Sequence, residues 1–181
     1  MRTLHFFIVI VFLASAASAG DDPAVLSNLQ PELQQALLHD AACTKPAASD
    51  AENLMSVPVK TEEIRVGGRE AGVIASPQDA CHCENQNCST YVYLRSGDSY
   101  KLALENSFAS LRPMKIIKHG LPSLSGKLQI SDSQEETTIY DWDGHSYEAS
   151  LCATVTERKN SRLPSIAHHA CGAGARLSAR R

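Results

Sequence analysis

From Cys81 to Cys152 short runs of alternating apolar and polar residues are separated by turn residues, and this pattern constrains the fold more than any other feature of the chain. In Tyr91-Val92-Tyr93-Leu94-Arg95 successive side chains of an extended strand point to opposite sides. Tyr91, Tyr93 and Arg95 therefore share one face, and Val92 and Leu94 the other. Gly97-Asp98 supplies a tight turn into a partner strand over Tyr100–Glu105, a hairpin signature. Further strands are predicted over Val57–Val66, Gly72–Ala75, Leu111–Lys118, Gly126–Ser131, Thr137–Trp142 and Tyr147–Cys152, with Pro113 marking an edge or a bulge. Ser76–Cys88 reads as a cysteine-rich loop, Gly120–Leu124 as a structured connection, and Glu135-Glu136 as a solvated turn.

One helix is expected before the strands, over Pro31–Ala42. Pro31 suits the first helical position, Glu32 favours the positive end of the helix dipole, and Leu33, Leu37 and Ala41 recur at helical spacing. The predicted fold class is thus mainly β (α+β). It is an antiparallel β-meander or sandwich of about seven to nine short strands, preceded by one N-terminal amphipathic helix.

Residues 1–19 have the form of a secretory signal peptide. Arg2 gives a short positive start, Leu4–Leu13 is apolar apart from His5, and Ala17-Ser18-Ala19 is an A-x-A cleavage signal, so the mature chain is expected to begin at Gly20. The apolar run is shorter than the roughly 20 residues a membrane span needs, and no later segment is apolar enough to span. The expected localisation is exported, periplasmic or secreted. Residues 20–156 are expected to form a single disulfide-stapled β-rich domain, and 157–181 a basic, partly disordered C-terminal tail with a helical turn near Ile166–Ala170. Without Arg2 there are 16 basic residues against 20 acidic ones, a net charge of −4. Residues 157–181 hold six basic residues and one acidic, or +5, which leaves −9 on the body. Such a body argues against nucleic acid as a partner.

All six cysteines, Cys43, Cys81, Cys83, Cys88, Cys152 and Cys171, lie beyond the signal, and an even number in an exported chain reads as disulfides. Six cysteines allow fifteen pairings. Cys83–Cys88 or Cys81–Cys88 would close a small loop, Cys81–Cys83 would strain the bond geometry, and Cys152 is placed to reach Cys43 or the Cys81/Cys83 pair. Cys81, His82 and Cys83, and separately His168 and His169, are the candidate zinc or copper ligands. Against them stand a Cys-x-Cys spacing too tight for the usual zinc pair and an oxidising compartment that favours disulfides. No cofactor is expected.

The chain has no Gly-x-Ser-x-Gly, no His-Glu-x-x-His and no glycine-rich phosphate loop, so catalysis is not the expected activity. Asp141-Trp142-Asp143-Gly144 looks like the start of a calcium loop. However, its glycine comes too early and the closing acidic ligand is missing, so a β-turn explains it better. Tyr91, Tyr93, Tyr140 and Trp142 lie on predicted strands, where they either pack across strands or form a binding surface.

Taken together, the helix ending in Cys, the segment Cys83…Cys88-Ser89-Thr90-Tyr91-Val92-Tyr93, the Gly97-Asp98-Ser99-Tyr100 hairpin, the Gly120–Leu124 connection and the Tyr140–Tyr147 strand pair resemble a group of uncharacterised bacterial exported (periplasmic) proteins. These carry a Cys-containing, degenerate VCBS/FG-GAP-like β-domain, and the resemblance covers roughly Pro31 to Cys152. Where relatives often carry an Asn-Gly-Asp-Gly element, this chain has Arg65-Val66-Gly67-Gly68-Arg69-Glu70, which lacks the acidic calcium ligands. The resemblance implies fold and compartment. The expected function is that of a non-catalytic exported β-domain that binds a protein or ligand. One alternative is an inhibitor or immunity protein of an envelope hydrolase such as a lysozyme, its acidic body steering it toward a basic enzyme. The other is a metal-binding protein or enzyme that uses the Cys81–Cys88 loop.

Overall fold

The computed structural model of the chain describes residues 24–40, 54–157 and 163–171. The signal peptide anticipated at 1–19, Cys43 and the basic residues Arg158, Lys159, Arg162, Arg176, Arg180 and Arg181 lie outside the described residues.

Helix α1 spans Pro31–Asp40, with Glu32 in its first turn and His39 in its last. Leu33 and Leu37, one turn apart, are its buried residues. The Gln34 side chain donates to the Leu26 carbonyl at 3.0 Å, which ties the helix to the 3-10 turn Leu26–Asn28. A second 3-10 turn spans Leu54–Ser56.

The strands form one antiparallel meander divided between two sheets. β1 (Ala24–Val25), β2 (Pro58–Val66), β3 (Arg69–Pro77), β4 (Cys83–Glu84), β5 (Asn87–Ser96) and β6 (Ser99–Phe108) make the first sheet. β7 (Ser110–Lys118), β8 (Leu121–Ser131), β9 (Gln134–Trp142), β10 (Tyr147–Thr156) and β11 (Ser165–His169) make the second, in the order β11-β10-β9-β8-β7. The first sheet is buried on both sides. One face carries Val59, Val73, Ala75, Tyr91 and Tyr93 against Leu33 and Leu37 of α1. The other carries Ile64, Ile74 and Val92 against Leu111, Leu124, Tyr140 and Tyr147 of the second sheet. The chain changes sheet at Ala109, between β6 and β7.

At that corner β8 loses its neighbour, and Gln129 would be left with an unpaired backbone N–H and C=O. The Asn87 carboxamide replaces the missing strand. Its Nδ2 donates to Gln129 O at 2.9 Å, and its Oδ1 accepts from Gln129 N at 2.8 Å. One side chain thereby joins β5 of the first sheet to β8 of the second.

The mainly β class with one helix before the strands is as predicted, but there are eleven strands, because β1, β4 and β11 add to the eight read from alternation. The cysteine-rich loop contains a hairpin, β4 to β5, turned by Asn85 and Gln86 at φ 49° and 69°. Gly120–Leu124 is mostly strand, because the turn is His119-Gly120, with φ 46° and 88°, and β8 begins directly after it. Glu135 and Glu136 lie within β9, and the helical turn expected at Ile166–Ala170 is instead β11, paired along β10.

Tyr93 is fully buried, and its hydroxyl has no hydrogen-bond partner at bonding distance among the described residues. Burial, then the nearby Asp40 carboxylate, pushes this phenol far above the ordinary tyrosine range. Tyr93→Phe is therefore expected to leave the urea stability unchanged or to raise it by about 1 kcal/mol, because the unpaired hydroxyl contributes only its desolvation cost. A loss of that size would mean that the hydroxyl is bonded. Asn87→Ala is expected to cost about 2 kcal/mol in the same measurement, since two partly buried backbone groups lose their partner. A cost near zero would show that water replaces the carboxamide.

Candidate functional site

The sequence directed attention to the segment around Cys81, His82 and Cys83. Cys83 and Cys88 face each other across the β4–β5 hairpin and form a disulfide. Cys81 is disulfide-bonded as well. These sulfurs are therefore not thiolates that could take up a metal. His82 is buried, and its Nδ1 lies 2.9 and 2.8 Å from the two Asp79 oxygens. Asp79 Oδ1 also accepts the backbone N–H groups of Cys81 and His82, at 2.8 and 2.9 Å. Asp79 and His82 thus set the shape of the loop from inside. Burial would raise the Asp79 carboxyl, but the His82 ring and these N–H groups outweigh it and hold the carboxyl below the ordinary aspartate range.

His168 and His169 cannot act together on one ion, because adjacent strand residues point to opposite faces. His169 lies opposite Cys152 on the inner face, and His168 opposite Ala153 on the outer one. The carbonyl of Ala170, 3.0 Å from His169 Nδ1, can only accept, so Nδ1 carries the proton, and Nε2 takes the Thr154 hydroxyl at 3.2 Å. Among the described residues no group of three or more His, Cys, Asp or Glu side chains is placed to hold a metal ion. Tyr91 and Tyr93 are in the core beneath α1, with rings stacked 6.3 Å apart, so they offer no exposed surface. Asp141–Gly144 is a turn, in which Asp143 Oδ1 accepts the His145 and Ser146 N–H groups at 2.6 and 2.8 Å.

Tyr140, by contrast, belongs to a cleft. The register of the second sheet builds it row by row. Leu124, Tyr140 and Ala149 form one inner row; Gly126, Thr138, Cys152 and His169 the next; Leu128, Glu136, Thr154 and Ala167 the third. The first row is packed against the first sheet. The second and third rows extend beyond that contact and floor a cavity of about 290 Å³, walled by Asn106–Phe108 on one side and His169–Cys171 on the other. Gly126 is required here, because a Cβ would stand 2.5 Å from the Phe108 ring. That ring meets Tyr140 edge to face at 5.7 Å. The Cys152–Cys171 disulfide fixes the far wall.

The polar groups of the cleft are oriented. Asn106 Oδ1 accepts from Ser107 N at 2.8 Å, so Nδ2 is the end that donates to the Tyr140 hydroxyl, at 3.2 Å. The phenol oxygen thus accepts, and its own proton remains to be given. Burial pushes the phenol up, Asn106 and Thr138 lower it, and the Glu136 charge raises it, with burial prevailing, so Tyr140 keeps its proton at neutral pH. Glu136, with Thr138 Oγ1 at 3.5 Å, supplies an acceptor beside that donor. Leu128, Ala149 and Phe108 give apolar contact. A larger recess of about 600 Å³ near the Asp132-Ser133 turn is lined mainly by solvated polar side chains, including the Lys127–Glu135 ion pair at 2.8 Å, and lacks such a floor. Of the residues singled out in the sequence, the cleft brings together Tyr140, Cys152, His169 and Cys171. Trp142 instead packs on Tyr147 at 5.3 Å. Asn106 and Thr138 carried no sequence signal of a site, and Glu136 read as part of a solvated turn, although Glu136, Thr138, Tyr140 and Trp142 continue one alternation. No protein-family model, curated protein or solved structure matches the chain.

The Asp79 carboxyl generates a prediction. Because its folded pKa lies below the ordinary value of about 3.9, its stabilisation is complete above that value and is lost as pH falls through the folded pKa. Asp79→Asn should therefore be less stable than the parent at neutral pH, and the gap should close as the solution is acidified below about pH 4. Equal stability of the two proteins at neutral pH would remove Asp79 from its organising role.

Proposed function

We propose that the protein is an exported, non-catalytic β-domain that acts by binding, and that the cleft between Asn106–Phe108 and His169–Cys171 is its ligand site. The observation that carries this reading is the pairing of a proton donor, Tyr140, with an acceptor, Glu136, above an apolar floor of Leu128, Ala149 and Phe108. Binding sites combine these elements, with a few oriented polar groups set in a largely apolar hollow. The disulfides Cys83–Cys88 and Cys152–Cys171 are compatible with an oxidising compartment, and the signal-like N-terminus accords with export.

The volume, just under the usual range for drug-sized ligands, selects a small ligand or one side chain of a larger partner. The chemistry selects a short apolar body with a polar head that both accepts and donates, such as an amino alcohol, whose hydroxyl can accept from Tyr140 and whose ammonium can donate to Glu136. Titration with a short amino alcohol, followed by amide chemical shifts, is expected to move Leu128, Tyr140 and Ala149 together. Glu136→Gln should weaken the interaction about tenfold through loss of a charge-assisted hydrogen bond. Shifts that map elsewhere, or that are unchanged in Glu136→Gln, would refute this assignment.

A further inference from the structure

The hairpin of β7 and β8 breaks the alternation that the other strands obey. The register slips between Pro113↔Leu124 and Ile117↔Pro122, so that Met114, Lys115 and Ile116 stand opposite the single residue Ser123. In a regular pleat one of two consecutive residues faces the core. Here Ile116 and Ile117 are 50% and 53% exposed, and every residue from Lys115 to Gly120 is exposed. The bulge presents two adjoining isoleucines on β7, close to the turn into β8.

The charge around them has one sign. Between Glu105 and Asp132 the sequence contains no Asp or Glu, while Arg112, Lys115 and Lys118 flank the isoleucines, in a body of net −9. Among the described residues none of these three cations forms an ion pair, whereas Lys127, farther along β8, pairs with Glu135. Asp141 lies near Lys118, but it is held by the buried Ser123 hydroxyl at 2.5 Å.

We propose that this hairpin tip docks on an anionic lipid surface, with Ile116 and Ile117 entering the boundary between headgroups and acyl chains and Arg112, Lys115 and Lys118 meeting the lipid phosphates. The three cations beside the exposed isoleucines match an anionic surface, and a lipid interface can deform around the side chains it receives. Lysine stems lie along apolar surface while their ammonium groups reach outward, which suits residues on either side of the isoleucines. Apolar insertion and attraction of basic residues to anionic headgroups are the two terms that hold peripheral elements at a bilayer. The acidic remainder of the body is repelled by the same surface, so approach through the carboxylate-free hairpin is also the orientation that the charge distribution selects.

Co-sedimentation of the full chain with vesicles of phosphatidylglycerol and phosphatidylcholine, at low and high salt, tests the proposal. The expected result is binding that weakens with salt and is absent on phosphatidylcholine alone. Lys115→Gln with Lys118→Gln should weaken it about 25-fold, since each basic residue near such a surface contributes about a factor of five. Ile116→Ser with Ile117→Ser should weaken it at least about tenfold through the lost apolar burial. Unchanged circular dichroism and melting temperature should accompany both variants, because the substituted side chains are exposed. Absence of binding at low salt overturns the proposal. So does binding that persists in both variants, as an apolar leader at Leu4–Leu13 would give. An isoleucine variant that dissociates a dimer on size exclusion while vesicle binding is unaffected would assign the tip to self-association and overturn it as well.

Discussion

Everything in this structure depends on β5 being buried from both sides. Tyr91 and Tyr93 point to α1, while Val92 points to the second sheet, and all three are almost wholly removed from solvent. Burying side chains of this size contributes about 1.5–3 kcal/mol each. Neither neighbour can therefore be lost without exposing half of the central strand. The single helix is a layer of the core and not an appendage, even though only Leu33 and Leu37 are its buried residues. This mutual dependence accounts for a three-layer order of helix, sheet and sheet in a chain whose alternation alone would be met by two sheets.

Covalent and polar links sit where this burial does not reach. β11 has no fully buried side chain, so apolar contact cannot hold it. Its backbone ladder to β10 and the Cys152–Cys171 disulfide do. Closing a loop of that length is worth about 3 kcal/mol by restricting the unfolded chain. The β4–β5 hairpin is likewise held by Cys83–Cys88 and by Asp79 with His82, and it returns the favour to the second sheet through Asn87.

Alternation made the eight principal strands legible, and Pro31 with Leu33 and Leu37 made the helix legible, because those signals are local. β11 was not legible. Ser165-Ile166-Ala167-His168-His169 has too few apolar residues to show a face, and its conformation comes from the edge of β10, a partner distant in sequence. The start of β8 was hidden by a turn whose first residue, His119, takes a positive φ that its side chain does not advertise. The cleft was half hidden for a similar reason. Glu135-Glu136 looked solvated in isolation, yet strand register sends Glu136 inward beside Leu128 and Thr154 while Glu135 faces out to Lys127. Tyr91 and Tyr93 looked like a surface because the sequence showed a helix without showing which face it covers.

The cleft follows from the topology. A meander that turns from one sheet into the next at Ala109 closes the sandwich on that side, and further along β8 the Asn87 carboxamide takes the place of the departed strand. On the inner face of the second sheet the apolar cluster reaches Leu124, Tyr140 and Ala149, and the rows beyond carry the polar residues Thr138, Glu136 and Thr154. Thr138, Glu136 and Thr154 would be costly under a covering strand that offered no partners. Thr138 is buried there with Glu136 as its partner, whereas Glu136 and Thr154 are half-buried and can meet solvent or a ligand. The sequence places its polar inward residues where the fold leaves the core uncovered, and that agreement between register and topology supports reading the cleft as a site and not as a packing defect.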